Sequence, residues 1–253
     1  MRTSPSRTAS PTPTAAVWQP VFSACSPWIR RARRASEYTS ATTEPRIRPY
    51  LPTDFDAVYR VCLQTGDAGN DASHLIDDPA ILGHLYVGPY VTLEPELAFV
   101  LEDEQGVCGY VLGAIDSEAF FRRYCEEWLP PLQARYPDPP GEPSTWSPTE
   151  RLYHHLHHPR AEFPAELADY PSHLHIDLLP RAQGRGNGRR MMQRLLAALR
   201  ERGSHGVFLG VSPKNQRAIT FYQKLGFRQL APAAERSADT LYMAMPLAPR
   251  PRA

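Results

Sequence analysis

The chain has 253 residues, 42% of them hydrophobic, and a net charge of +1 from 28 Lys plus Arg against 27 Asp plus Glu. That length and apolar share allow one sizeable core with an appended segment. A charge this balanced gives no global case for nucleic-acid or membrane binding, and no apolar run approaches a bilayer-crossing length.

The four cysteines, Cys25, Cys62, Cys108 and Cys125, share no CxxC spacing. Neither a zinc ribbon nor a disulfide framework is suggested, and free, buried thiols in a reducing cytoplasm are expected. The only lysines are Lys214 and Lys224, and the Arg, Ala and Pro bias is that of a GC-rich bacterial coding sequence.

Residues 1–44 are rich in Ser, Thr, Pro, Ala and Arg, without apolar periodicity, and are expected to be a disordered arm. No charged segment followed by a long apolar run marks a secretory signal there. Order is expected from Arg46-Ile47-Arg48-Pro49-Tyr50, a short strand. Thr53-Asp54-Phe55-Asp56 then opens a helix through Val58, Tyr59, Val61 and Cys62, which Gly66 stops. Asp78 to Tyr86 predicts a second helix. Two apolar runs, 97–101 and 107–113, flank Asp103-Glu104-Gln105-Gly106, the signature of a hairpin.

Residues 117–172 are more than a turn needs. They carry Phe120, Phe121, Tyr124, Trp128, Leu132 and Tyr136 at helical spacing, then a Pro-rich linker, then Ser147 to His158. This insertion is expected to pack beside a substrate cleft. Glu150, His154 and His158 share one face of its last helix, alongside His155 and His157. With no HExxH motif, an exposed His-rich helix is expected there rather than a metal site.

His173 to Leu179 alternates as a strand. His173, His175 and Asp177 therefore face one way, and Leu174, Ile176 and Leu178 the other. The strand feeds Pro180-Arg181-Ala182-Gln183-Gly184-Arg185-Gly186-Asn187-Gly188-Arg189 and then the amphipathic stretch 190–199. A Gly-rich turn at a helix N-terminus offers unpaired N–H groups to an anion. Arg185 and Arg189 add charge, so a diphosphate fits. There is no Gly-Lys-Ser/Thr of a P-loop, and the third glycine of a dinucleotide fingerprint is missing. Downstream, Gly206 to Val211 reads as a strand and Asn215 as the N-cap of a helix. Ala218, Ile219 and Tyr222 share a face of that helix, and Gly226 fits its end.

The pattern Gln183-x-x-Gly186-x-Gly188 after Pro180, followed by Asn215 and Tyr222, resembles the GCN5-related N-acetyltransferase (GNAT) family. Within it, Arg48-Pro49-Tyr50-Leu51-Pro52, Phe99-Val100-Leu101-Glu102-Asp103-Glu104, Gly106-Val107-Cys108-Gly109-Tyr110 and Phe221 to Gly226 resemble the acetyltransferase-like C-terminal domain of O-GlcNAcase and its bacterial relatives. The resemblance implies an α/β (α+β) GNAT fold over residues 45–248: a mixed, mostly antiparallel sheet flanked by helices, with the helical insertion 117–172 before the fourth strand and a tail at 249–253. It implies acetyl-CoA as co-substrate, held by Leu178, Leu179, Gln183, Gly184, Arg185, Gly186, Asn187, Gly188, Arg189, Asn215 and Tyr222. It further implies an amine acceptor, small molecule or protein, in a monomer or homodimer without nucleic-acid or membrane partners.

Acetyl transfer needs a base for the amine, a donor for the oxyanion and a proton for the thiolate. His173, His175 or Asp177 could be the base, and the resemblance implies the N–H of Leu178 as the donor and Tyr222 as the acid. No metal is expected in that chemistry. Two other readings remain: an acetyl-CoA-binding module that transfers nothing, and a metal hydrolase built on His173, His175 and Asp177.

Overall fold

The computed structural model describes residues 44–159, 164–230 and 240–247. They belong to one compact unit, Thr42–Ala253. Residues 1–43 of the expected disordered arm and the C-terminal tail lie outside the described residues.

In chain order the elements are β1 (Arg46–Pro49), α1 (Phe55–Leu63), α2 (Ile81–Tyr86), α3 (Gly88–Leu93), β2 (Ala98–Asp103) and β3 (Gly106–Ala114). The insertion adds α4 (Ser117–Arg123), α5 (Leu129–Arg135) and α6 (Pro148–His157). There follow β4 (Ser172–Leu178), α7 (Asn187–Glu201), β5 (Gly206–Val211), α8 (Gln216–Leu225), β6 (Arg228–Gln229) and β7 (Leu241–Pro246). One sheet of seven strands runs β1-β2-β3-β4-β5-β7-β6. Every neighbouring pair is antiparallel except β4 with β5. The mixed, mostly antiparallel sheet is the expected one.

The hairpin forms where its turn residues place it, with Gly106 at φ 95° in the left-handed region. The predicted helix at 78–86 begins later, at Ile81: Pro79 disfavours helical backbone at Asp78, whose carboxylate accepts the N–H of Ala80 in a turn before the helix. A separate helix, α3, follows it. Gly88 and Pro89 break the period between them, and Pro89 sits in the first turn, where a missing N–H costs nothing.

Each sheet face carries its own layer. Gly113 of β3 faces α7, and a Cβ there would sit 2.8 Å from Leu195 Cδ1. Met191, Leu195 and Leu199 stack along that helix face, fully buried. Each such side chain contributes about 1.5–3 kcal/mol through apolar burial. The alternate residue Tyr110 faces α1, within reach of Cys62. At the sheet edge Arg48 bonds both Asp54 (2.6 Å) and Glu102 (2.9 Å), tying β1 to the start of α1 and to β2. The Arg48 guanidinium holds Asp54 below the usual carboxylate range.

The insertion builds a second apolar cluster against α2. Ile81 and Leu85 pack with Tyr124, Leu129, Leu132, Tyr136 and Leu156. Phe121 and Trp128 pack on its rim, and the indole N–H of Trp128 donates to the carbonyl of His84 at 2.9 Å. At its far end Ser117 donates to the carbonyl of Pro171 and meets His173. The insertion thus lies beside the polar face of β4.

Candidate active site

Strand β4 is where the site is built. It pairs with β3 along its whole length, from Ala114↔His173 to Gly109↔Leu178. With β5 it pairs only at Ser172↔Val207 and His173↔Phe208, after which the two strands part. The main-chain groups beyond that point are settled by the antiparallel alternation. The N–H of Leu179 donates to the carbonyl of Cys108 on β3 at 2.8 Å. The main-chain groups of Ile176 and Leu178 therefore point the other way, into the wedge left by β5. Leu179 is buried with its N–H in use, so of the two predicted strand-end contacts only Leu178 offers an N–H to the wedge.

The Gly-rich turn sits at the mouth of that wedge. Gly184 and Gly186 have φ of 81° and 78°, and Gly186 is the N-cap of α7. The first-turn N–H groups of α7 have no intrahelical acceptors. Arg185 and Arg189 are exposed beside them. Gln183 and Asn187 hold the turn in shape. Gln183 Nε2 donates to the carbonyl of Leu178 at 2.6 Å. Asn187, 1% exposed, donates to the carbonyl of Ala182 at 2.9 Å and accepts from Arg190. Their side chains are occupied, and the N–H of Gln183 donates to the carbonyl of Pro180 at 3.2 Å, so of the two only Asn187 offers an anion its backbone N–H. Gly188 has no room for a side chain that keeps its neighbours still: a Cβ would meet Phe221 at 3.1 Å and Leu178 at 3.3 Å.

On the opposite face of β4, His173, His175 and Asp177 form one row, as the alternation predicts. Their surroundings differ. His173 Nδ1 is 2.8 Å from Ser117 Oγ, and Tyr90 and Phe120 meet its ring edge-on. His175 lies among aromatic rings, 5.2 Å from Tyr90 and 6.0 Å from Tyr86 between centroids. Burial pushes the His173 imidazolium down to about 3 and that of His175 to about 4, so both rings are neutral near pH 7. Asp177 accepts a hydrogen bond from Tyr110 Oη at 2.6 Å. Burial pushes its carboxyl up to about 6, against the downward pull of Tyr110 and Thr65.

Tyr222 on α8 is buried, with Phe221 and Phe227 against its ring. Burial, then the charge of Asp177, raises its phenol well above the ordinary range. Asn215 caps α8 as its sequence position predicts, its Oδ1 taking the N–H of Ala218 at 3.0 Å. Gly226 ends that helix at φ 99°.

Sequence reading missed Tyr110, Thr65, Tyr86, Tyr90 and Ser117. Only the β3–β4 register, Tyr110↔Asp177, brings the first of these to the site. Among the described residues the ligand atoms of His173, His175 and Asp177 do not converge within 4.8 Å, whereas those of Asp138, His154 and His158 do.

Comparison with known proteins agrees with this architecture. The family model described as Acetyltransferase (GNAT) family matches residues 71–227. Protein O-GlcNAcase of Rattus norvegicus is 34% identical over 186 residues, covering 73% of this chain and 20% of that protein. The chain therefore spans about a fifth of the length of the first curated relatives it matches. An uncharacterized N-acetyltransferase of Mycobacterium tuberculosis is 45% identical over 51 residues, 20% of this chain and 33% of that one. The crystal structure of SsHAT superposes with a TM-score of 0.74 at 43% identity, covering 81% of this chain and 98% of that one. The chain belongs to the acetyltransferase (GNAT) family.

Proposed function

We propose that the chain is an acetyl-CoA-dependent N-acetyltransferase in which Asp177 is the general base. The observation that carries this reading is the arrangement of β4. One side of its end turns the N–H of Leu178 into a wedge capped by a Gly-rich turn. The same strand end carries a half-buried carboxyl of raised pKa.

The turn Gly184–Arg189 fits a diphosphate. Its backbone N–H groups and the positive end of α7 supply the attraction, and Arg185 and Arg189 add charge. The N–H of Leu178 points to where a thioester carbonyl would lie, as an oxyanion donor. Asp177 takes a proton from the incoming ammonium, and the freed amine attacks the carbonyl. The C–N bond forms and the C–S bond breaks. Tyr222, kept protonated by burial, gives its proton to the departing thiolate, and the second proton lost by the nitrogen as the tetrahedral intermediate collapses to the amide restores the phenol through solvent, while Asp177 returns its proton to solvent. Asp177 serves better than either histidine. Its value of about 6 is about two units above that of His175 and three above that of His173. A stronger base takes the ammonium proton at lower cost.

The acceptor is a primary amine, and the neighbouring rings of Tyr86, Tyr90 and the insertion give its side of the cleft an aromatic wall. A binding module that transfers nothing is the rival reading, motivated by the likeness to the O-GlcNAcase domain. The test is release of CoA from acetyl-CoA across a panel of amines, amino sugars, Lys peptides and peptide N-termini. Amine-dependent release that Asp177→Asn abolishes supports transfer. Tight acetyl-CoA binding with no amine-dependent release across the panel favours the module.

A further inference from the structure

The His-rich helix of the insertion holds a group that the acetyl-transfer reading does not use. We propose that Asp138, His154 and His158 form a binding site for a zinc-type divalent cation that clasps the linker between α5 and α6.

The three residues converge from two chain segments. His154 lies on α6 and His158 is its C-cap residue, four positions on, so the two rings share one face with centroids 4.0 Å apart. Asp138 comes from the Pro-rich linker. Its two carboxylate oxygens each take one ring, His154 Nδ1 on Oδ1 and His158 Nε2 on Oδ2, both at 2.8 Å. One ligand atom from each residue lies within 4.8 Å of the other two. Glu150, which shares the helix face, is not part of the set. Its carboxylate closes the capping box on the N–H of Ser147 at 2.7 Å.

The surroundings hold this set in place. His157 Nε2 bonds the carbonyl of Tyr136 at 2.7 Å, fixing the linker where it leaves α5. Trp146 donates its indole N–H to the carbonyl of Pro140, closing the linker on itself, and its ring lies 4.7 Å from that of His154. Two rings and a carboxylate are thus brought together by contacts that do not depend on the ion.

The donor set selects the cation. Two imidazole nitrogens and one carboxylate oxygen are a three-ligand zinc set, with water in the fourth position. Magnesium, which takes an octahedron of oxygens, is poorly served. A tetrahedral ion with bonds of about 2.0–2.2 Å needs ligand atoms about 3.3–3.5 Å apart, within side-chain rotation of the spacing here. On binding, His154 Nδ1 and His158 Nε2 must present lone pairs. Each neutral ring carries its proton on the other nitrogen instead, and any ring that was cationic releases one proton to solvent.

The test is calorimetric titration of the whole metal-stripped protein with zinc chloride, with magnesium chloride as the control. One equivalent of zinc should bind, and the melting temperature should rise with zinc concentration. Asp138→Asn and His154→Ala should each weaken binding at least as much as the roughly 10- to 100-fold that losing a mere supporting contact costs. His155→Ala should leave it unchanged. Two results overturn the proposal: no saturable zinc binding, or binding that His155→Ala weakens as much as His154→Ala, which would mean loose attraction to a His-rich helix. Cobalt(II) spectra give a second measurement independent of folding cost. The wild type should show tetrahedral visible bands and Asp138→Asn should not; bands of equal strength in both would also sink the idea.

Discussion

The two faces of β4's end are built by different means. On the wedge side, the groups that matter are main-chain: the N–H of Leu178, the turn at Gly184 and Gly186, and the first turn of α7. On the other side they are side chains gathered from distant parts of the chain. Asp177 meets Tyr110 from β3, while His175 meets Tyr86 and Tyr90. The first kind of site is written in a continuous stretch, because backbone geometry needs particular residues at particular positions. The second kind is written in the sheet register. It tolerates many residue types locally and is specific only once the strands are paired.

Substitutions should separate the two sides. The largest effect belongs to the turn. Gly186→Glu places an acidic side chain at the anion site on a backbone with φ of 78°. Acetyl-CoA binding should fall below calorimetric detection, while the left-handed backbone costs the fold only about 1–3 kcal/mol. Normal affinity in that variant would mean the turn is not the cofactor site. Next comes the acceptor side. Asp177→Asn should lower kcat/KM by about 10²- to 10⁴-fold, the range of general acid–base catalysis, with acetyl-CoA affinity unchanged. Tyr222→Phe should keep its packing and lose about 10²-fold in kcat. Wild-type turnover in Tyr222→Phe would assign the thiolate's proton to solvent.

A stability effect should accompany the loss of activity. The folded carboxyl of Asp177 sits near 6, against an ordinary aspartate value of 3.8. A group with a raised folded pKa leaves stability intact below its unfolded value and erodes it as pH climbs through the folded one. The wild type therefore carries a cost at pH 8 that is absent below about pH 4. Two units correspond to about 3 kcal/mol at most, since one unit is about 1.4 kcal/mol. Asp177→Asn should melt several degrees higher than wild type at pH 8 and show no advantage at pH 4. The smallest effect is that of Tyr110→Phe, which removes a hydrogen bond from the charged carboxylate. A hydrogen bond to a charged group is worth at least about 1.5 kcal/mol, so the carboxyl should titrate about one unit higher. Activity should drop at pH 6 and hardly change at pH 8.

Much of the fold was legible because each element carried its own punctuation. Gly106 set the hairpin, Asn215 and Gly226 bounded α8, and the alternation from His173 set the row on β4. What was not legible depended on partners far along the chain. Gln183 and Asn187 look like ligand contacts in the motif, yet their side chains serve the turn. The His-rich helix suggested Glu150 as a companion for His154 and His158. The structure instead gives that place to Asp138, from a linker with no periodic signal of its own.

The most direct test of the central claim is the pH dependence of kcat/KM with an accepted amine, in wild type and in Asp177→Asn, His175→Ala and His173→Ala. The account predicts an acidic limb in the wild type with an apparent pKa near 6, rising to higher activity as Asp177 loses its proton. The limb should vanish in Asp177→Asn and survive in both histidine variants. An unchanged limb in Asp177→Asn, or one abolished only by His175→Ala, would contradict the assignment of Asp177 as the base.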